Sequence, residues 1–569
     1  YKQSGLRGHD KLDIASFDWL GDDGVLYDVT RNKRWASGLY TAILGSLDSR
    51  TTVNDEDATV IVGVPRARPG NVIVWIAQSR EGRGESGGVV EYDTARNKIV
   101  RTYAEPAGAD AVAWIPNRQG ELAICMTWTE RRRLFHRYVP ERNSWRELKI
   151  DPEVVRPLGL DPDDRYLWVV TQSDKAGYEL RRCDLNTENL GEPVFADAAY
   201  DLADGHLHFS DRTGELTGIT YEKRKVTTVW FSEDYAAIQA FVDKNCPGGF
   251  NVLIDRDHAE RKLLFRATGP QQPGTYVLLD LDAKSLHPLA QVAPWLKGRQ
   301  FQPTQPITFR TRDRQQLEGY LTLPAGASEQ HPVPLVVLAH GGPWVRDTPD
   351  FAPEVQFLAS RGYAVLQPNY RGSSGYAPAI SFDRKYDFRR MHDDVTDATR
   401  AMLRSPLIDS KRVAIMGASF GGFLSVAGVA FEDGLYRCAI TQCGVFDWAR
   451  LIKDKRMSRN VVAYETLLDK LGRPGRDQPQ FEQISPLARA DQISVPVLIA
   501  HGVKDGVVEV EQSRKLAAAL KKRGIPHETF FRALEGHGFY NYKNRVDYYH
   551  RVEAFLAANL GGASLTEGN

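Results

Sequence analysis

At 569 residues the chain exceeds what one hydrophobic core can hold, so at least two domains are expected. Hydrophobic residues make up 42% and charged residues 26%, ordinary for a soluble globular protein. Lys plus Arg equals Asp plus Glu at 73 each, which removes the electrostatic case for nucleic acid or an anionic membrane. No apolar run approaches the roughly 18–20 residues needed to cross a bilayer.

The five cysteines, Cys125, Cys183, Cys246, Cys438 and Cys443, are dispersed and form no C-x-x-C pair. That argues against a disulfide framework and leaves room for a single bridge. The chain opens at Tyr1 with neither a methionine nor a signal-peptide pattern. Either a leader was removed or the start was cut or is missing. The compartment therefore stays unassigned, cytoplasmic or, after leader removal, periplasmic or secreted.

Residues 1–302 read as short strands separated by polar turns. Phe17–Tyr27 gives strand, acidic turn, strand. Val112–Ile124, Leu158–Val170 and Val252–Phe265 repeat the scheme, and further copies fit near Val64 and Leu207. The spacings are one or two multiples of about 47 residues, and a period near 40–50 with four strands per unit predicts a β-propeller. Six units are visible; residues before Tyr1 would complete a seventh. Gly82-Arg83-Gly84-Glu85-Ser86-Gly87 matches the dinucleotide fingerprint, but Val89-Val90-Glu91-Tyr92 after it is strand-like, so no helix N-terminus would meet a phosphate. It is read as a hairpin loop. His206 and His208 share one strand face but lack the third and fourth ligands of a metal site, so no metal is expected.

From residue 303 to 569 the composition changes. Gln302-Pro303-Thr304-Gln305-Pro306 reads as a linker, followed by an antiparallel pair over 307–311 and 317–323. Apolar strands and helices then alternate, which predicts a mostly parallel sheet covered on both faces. Strands are expected at 335–339, 363–367, 413–416, 438–442, 495–500 and 530–533. The last helix runs through Tyr548 to Leu556.

The chemistry sits at the carboxyl ends of these strands. Gly417-Ala418-Ser419-Phe420-Gly421 is a G-x-S-x-G elbow that would hold the Ser419 hydroxyl clear of the sheet. His501-Gly502-Val503-Lys504-Asp505 and Glu535-Gly536-His537-Gly538 follow two later strands. The order Ser419, Asp505, His537 is that of α/β-hydrolases. A serine hydroxyl needs an imidazole to take its proton, and the imidazole needs a carboxylate to fix its tautomer. Asp505 is preferred over Asp447, which is out of triad order, and over Glu535, which reads as a surface turn residue. His340-Gly341-Gly342-Pro343 supplies the oxyanion loop, with the backbone N–H groups of Gly342 and Phe420 as the two donors.

These motifs, with Asn369-Tyr370-Arg371-Gly372-Ser373-Ser374-Gly375-Tyr376, resemble the prolyl oligopeptidase family of serine peptidases across the second half. They look most like its acylaminoacyl-peptidase branch and bacterial relatives. The resemblance implies an α/β-hydrolase fold C-terminal to the propeller. It also implies a triad buried between the two, an acyl-enzyme on Ser419, no cofactor, and short peptides as substrates. Two features depart from relatives of narrower specificity. No paired glutamates of the kind dipeptidyl peptidases use occur in a clear propeller motif, and no acidic residues for basic substrates carry over. Gly444-Val445-Phe446-Asp447-Trp448 falls where the family places S1 residues, so Phe446 and Trp448 are candidates for an apolar pocket or for the core. A carboxylesterase with the same triad and an interaction protein with an inert hydrolase half are the other readings. A homo-oligomer is compatible with all three.

Overall fold

The structure, a computed structural model, describes residues 13–20, 24–30, 39–43, 49–53, 59–78, 86–106, 110–129, 132–173, 177–376, 388–454, 457 and 461–562. The chain divides into two compact units, Tyr1–Ser173 with Glu179–Ala196, and Asp174–Tyr178 with Asp197–Asn569.

Among the described residues six antiparallel sheets follow one another, each strand pairing with its neighbour in sequence. Their first two strands are Asp13–Leu20 and Gly24–Thr30, Thr59–Gly63 and Asn71–Gln78, Asp110–Pro116 and Leu122–Thr129, Val155–Leu160 and Tyr166–Gln172, His206–Phe209 and Leu216–Glu222, and Phe250–Arg256 and Lys262–Gly269. Every repeat read from the sequence falls on one of these opening hairpins. This is the blade meander of a β-propeller. In the first unit, Leu26, Leu39, Val72, Val74 and Val90 of the first two sheets form one cluster. Ile124, Phe135, Leu148, Leu160, Leu167 and Val169 of the third and fourth form another. In these two clusters neighbouring blades bury their alternate residues against each other.

One blade departs from the expected four strands. After Val226–Trp230 the chain enters a helix, Glu233–Asn245, capped by Ser232, whose side chain accepts from Tyr235 N. Gly82 to Glu85 of the glycine-rich stretch lie outside the described residues, and a strand, Ser86–Asp93, follows them. His208 Nε2 lies 2.7 Å from Thr220 Oγ1, and burial lowers its pKa to about 3. None of the five cysteines is in a disulfide. Among the described residues no helix is long and apolar enough to cross a membrane.

The second unit also carries an eight-stranded sheet. Its strands are β1 (Thr304–Arg310), β2 (Gln316–Thr322), β3 (Val333–Ala339), β4 (Ala364–Asn369), β5 (Ile408–Ala418), β6 (Cys438–Gln442), β7 (Val497–Gly502) and β8 (His527–Arg532), in the order β1-β2-β4-β3-β5-β6-β7-β8. The first pair is antiparallel and β3 to β8 run parallel. The expected linker is shorter than read. Thr304 to Pro306 are already in β1, an edge strand, where a proline forfeits no ladder bond.

The central strands are unbroken apolar runs because both their faces are covered. Leu335, Val337, Val413, Ile415, Ala439 and Val497 face one cluster, whereas Val336, Ala414, Met416, Ile440 and Leu498 face the other. Helices α1 (Pro353–Ser360), α2 (Phe388–Met402), α3 (Phe420–Phe431), α4 (Trp448–Lys453), α5 (Glu511–Lys522) and α6 (Tyr542–Leu560) cover the two faces. Helix α3 is apolar around its whole circumference and buried from Phe420 to Ala430. Register then sets the site. Ala339 pairs with Gly417, Ala418 with Gln442, and Gln442 with Ala500. The residues that follow these strand ends therefore come off one rim of the sheet.

Candidate active site

Ser419 sits between β5 and α3 with φ 57° and ψ −117°, a conformation costly for any residue with a Cβ. Its N–H donates to Gln442 O at 2.8 Å, which ties the turn to β6. The approach is possible only because position 421 is glycine. A Cβ there would lie 2.0 Å from Ala339 O, the last carbonyl of β3. The same closeness brings the next loop to the serine. A Cβ on Gly341 would stand 3.2 Å from Ala418 O and 3.6 Å from Ser419 Cβ.

That loop, His340 to Asp347, is held by the Asn369–Tyr376 segment. Tyr370 stacks on the His340 ring at 4.2 Å and donates to His340 O at 2.9 Å. His340 Nε2 lies 2.9 Å from Ser373 Oγ, and burial lowers the imidazole pKa to about 4. Asn369 accepts from Asp347 N at 2.8 Å and donates to Asp347 O at 3.0 Å. Arg371 donates to Asp394 on α2 and to Asp313 in the turn between β1 and β2. Asn369, Tyr370 and Ser373 thus hold the loop next to the serine, while Arg371 ties their segment to α2 and to the β1–β2 turn.

Asp505 and His537 meet as the sequence places them, with His537 Nδ1 2.7 Å from Asp505 Oδ2. Asp505 is buried. Its Oδ1 accepts from Val507 N at 2.8 Å and Val508 N at 2.9 Å, and His501 Nε2 lies 3.2 Å from Oδ2. Burial acts to raise the carboxyl pKa, but the hydrogen bonds from His501 and His537 outweigh it and hold the group well below the usual carboxylate range. The His537 side chain keeps 25% of its surface exposed, enough to meet a second reactant while its other nitrogen is anchored.

Two residues matter here in ways the sequence did not reveal. Glu535 is no surface turn residue, being only 1% exposed. It accepts from Tyr540 N at 2.9 Å, Asn541 N at 3.1 Å and Asn544 Nδ2 at 2.6 Å, which shapes the loop that carries His537. His501, buried, bridges the Asp505 loop to α5, with Nδ1 2.7 Å from Ser513 Oγ and Nε2 3.0 Å from Val508 O. Gly502 is glycine for a steric reason, since a Cβ would fall 2.1 Å from Gly536 O. Asp447, the other rival acid, caps α4 by accepting from Arg450 N at 3.0 Å.

Phe446 and Trp448 are both in the core. Phe446 N donates to Gln512 Oε1 at 3.0 Å, and Trp448 packs on Phe388, Phe423 and Phe420 with centroids 4.7, 5.3 and 5.9 Å apart. Phe420 is the residue after the serine, so this aromatic group backs the elbow.

Residues 349–563 match the prolyl oligopeptidase family. The match lies within the hydrolase half. Dipeptidyl aminopeptidase BIII of Pseudoxanthomonas mexicana is 34% identical over 403 residues, 66% of this chain and 58% of the relative. Acylamino-acid-releasing enzyme of Rattus norvegicus is 27% identical over 263 residues, 43% of this chain and 34% of the relative. The chain thus spans less than two thirds of either curated relative. Acylaminoacyl peptidase of Pyrococcus horikoshii superposes with TM-score 0.68 at 16% identity, over 96% of this chain and 88% of that one, which establishes a shared fold.

Proposed function

We propose that this prolyl oligopeptidase family member is a serine peptidase that hydrolyses short peptides through an acyl-enzyme on Ser419. The observation that carries the reading is the hydrogen-bonded Asp505–His537 pair, standing on the same strand-end rim as a serine in a strained elbow. In the proposed step His537 Nε2 takes the Ser419 proton as Oγ attacks the scissile carbonyl. Asp505 stabilises the imidazolium. The N–H groups of Gly342 and Phe420 receive the oxyanion, each worth about 10²–10³ in rate. His537 then gives the proton to the leaving amine, and water releases the acyl group by the reverse route.

The proposal extends to substrate choice. The propeller of residues 1–302 limits substrates to short peptides. The relatives' names support peptides over simple esters. An organophosphonate should label Ser419 covalently, and labelling should vanish in Ser419→Ala. Persistent labelling of that variant would refute the nucleophile. A panel of acyl-peptides, free peptides of rising length and short-chain esters tests the rest, and ester turnover without amide cleavage at any length would refute the peptidase reading.

A further inference from the structure

The mechanism leaves one side chain beside the Asp505–His537 pair without a task. Cys443 follows β6 on the same rim, with a left-handed backbone at φ 51° and its thiol buried. Its Sγ, an Asp505 carboxylate oxygen and a His537 ring nitrogen all lie within 4.8 Å of one another. These three ligand types bind zinc tetrahedrally, at about 2.3 Å from sulfur and about 2.0–2.2 Å from nitrogen and oxygen. Such lengths imply ligand–ligand separations of about 3.3–3.7 Å. The contact between His537 Nδ1 and Asp505 Oδ2, now 2.7 Å, would have to widen slightly, and Cys443 Sγ, within 4.8 Å of both, would settle to a ligand separation. Asp505 is already held from behind by Val507 N, Val508 N and His501, the kind of support that fixes a metal-ligating carboxylate. Of the three, His537 alone keeps part of its side chain exposed.

We propose that Cys443, Asp505 and His537 form a binding site for a soft divalent cation, Zn²⁺ or Cd²⁺, and that its occupation switches the enzyme off reversibly. The effect on activity rests on the serine peptidase reading above; the site itself does not. The proton balance explains the inhibition. Binding displaces the thiol proton of Cys443 to solvent. Ligation through Nδ1 moves the imidazole proton from Nδ1 to Nε2 by exchange with solvent, so one proton is released per cation. An imidazole protonated at Nε2 cannot accept the Ser419 proton, and Asp505 no longer orients it. Hard cations gain little from a thiolate, so Mg²⁺ and Ca²⁺ are not ligands here.

The test titrates Cd²⁺ into wild type and Cys443→Ser, recording the ultraviolet thiolate-to-cadmium charge-transfer band and, in parallel, peptide hydrolysis. A band of one equivalent that is lost in Cys443→Ser is expected. With it should come inhibition by Cd²⁺ and Zn²⁺ that EDTA reverses and that is at least about tenfold weaker in the variant. Equal bands and equal inhibition in the two proteins would overturn the proposal, as would inhibition by Mg²⁺. If Cys443→Ser does not fold, His537→Ala replaces it in the spectroscopic arm, where it must weaken the band and an unchanged band refutes the site. Wild type that shows the band but is neither labelled by phosphonate nor active on peptides would break the functional reading and leave the site standing. Normal labelling without a band would do the reverse.

Discussion

The turn that carries Ser419 and the loop that carries His537 stand on one rim but are held by different forces. The elbow is fixed by backbone sterics: a positive φ at Ser419 and a glycine at 421 pressed against Ala339 O. The histidine loop is fixed by side-chain hydrogen bonds, converging on Glu535 from below and on Asp505 from the side. Crowded backbone has no intermediate setting, whereas hydrogen bonds can be weakened one at a time. Substitutions in the elbow should therefore fail abruptly and those in the loop by degrees.

The largest effect removes the proposed nucleophile. Ser419→Ala should lower kcat on the order of 10⁶-fold with the melting temperature unchanged. A residual rate near wild type would mean that another group attacks. Asp505→Asn should cost about 10⁴-fold, because the amide can present its N–H to Nδ1 and impose the wrong tautomer. Next comes the steric control. Gly421→Ala should destabilise by about 1–3 kcal/mol, through overpacking against Ala339 O, and reduce phosphonate labelling by about 10²-fold as the serine is displaced. If it labels at the wild-type rate, the elbow is not sterically fixed.

Glu535→Gln should be milder than Gly421→Ala, with a rate loss below the roughly 10²-fold that a 1 Å misplacement costs. Its amide nitrogen would face a backbone or Asn544 donor that the carboxylate now accepts. A steady-state comparison at saturating substrate separates the two cases. The smallest effect is one of pH. His340 is usually half-protonated near 6.5 but here only near 4, because burial disfavours the cation. The unfolded chain takes up that proton first as the solution is acidified. Its contribution to stability is therefore complete above about 6.5 and is lost as pH falls towards about 4. Thermal melts at pH 7.5 and 5 should show a larger drop for wild type than for His340→Gln.

The same division between backbone and side-chain control accounts for what could be read in advance. Every opening hairpin of the six blades was visible, since a turn of Asp, Asn and Gly between alternating apolar runs needs only local chemistry. The helix at Glu233–Asn245, which follows the shortest blade, has no place in a four-strand repeat and was missed. Ser419, Asp505 and His537 could be placed because each follows a strand in a recognisable short motif. Glu535, His501 and the supports of the His340 loop could not. Their partners, Asn544, Ser513 and Asn369, come from other elements, and sequence spacing says nothing of which side chains meet across a fold. The buried positions of Phe446 and Trp448 were ambiguous for a related reason, since an aromatic run after a strand suits a pocket and a core equally well.

The order of strands in the large sheet has a consequence for how the protein comes to be active as it is made. From β5 onward each new strand adds to the same growing edge, so β7 with Asp505 and β8 with His537 arrive last. The blades close locally, hairpin by hairpin, but the parallel strands must wait for their crossovers, which slows them. During synthesis the elbow of Ser419 can form against β3 and β6 about 95 residues before His537 emerges. On the proposed mechanism the nascent chain would carry Ser419 without the base that takes its proton until the final strand is laid down.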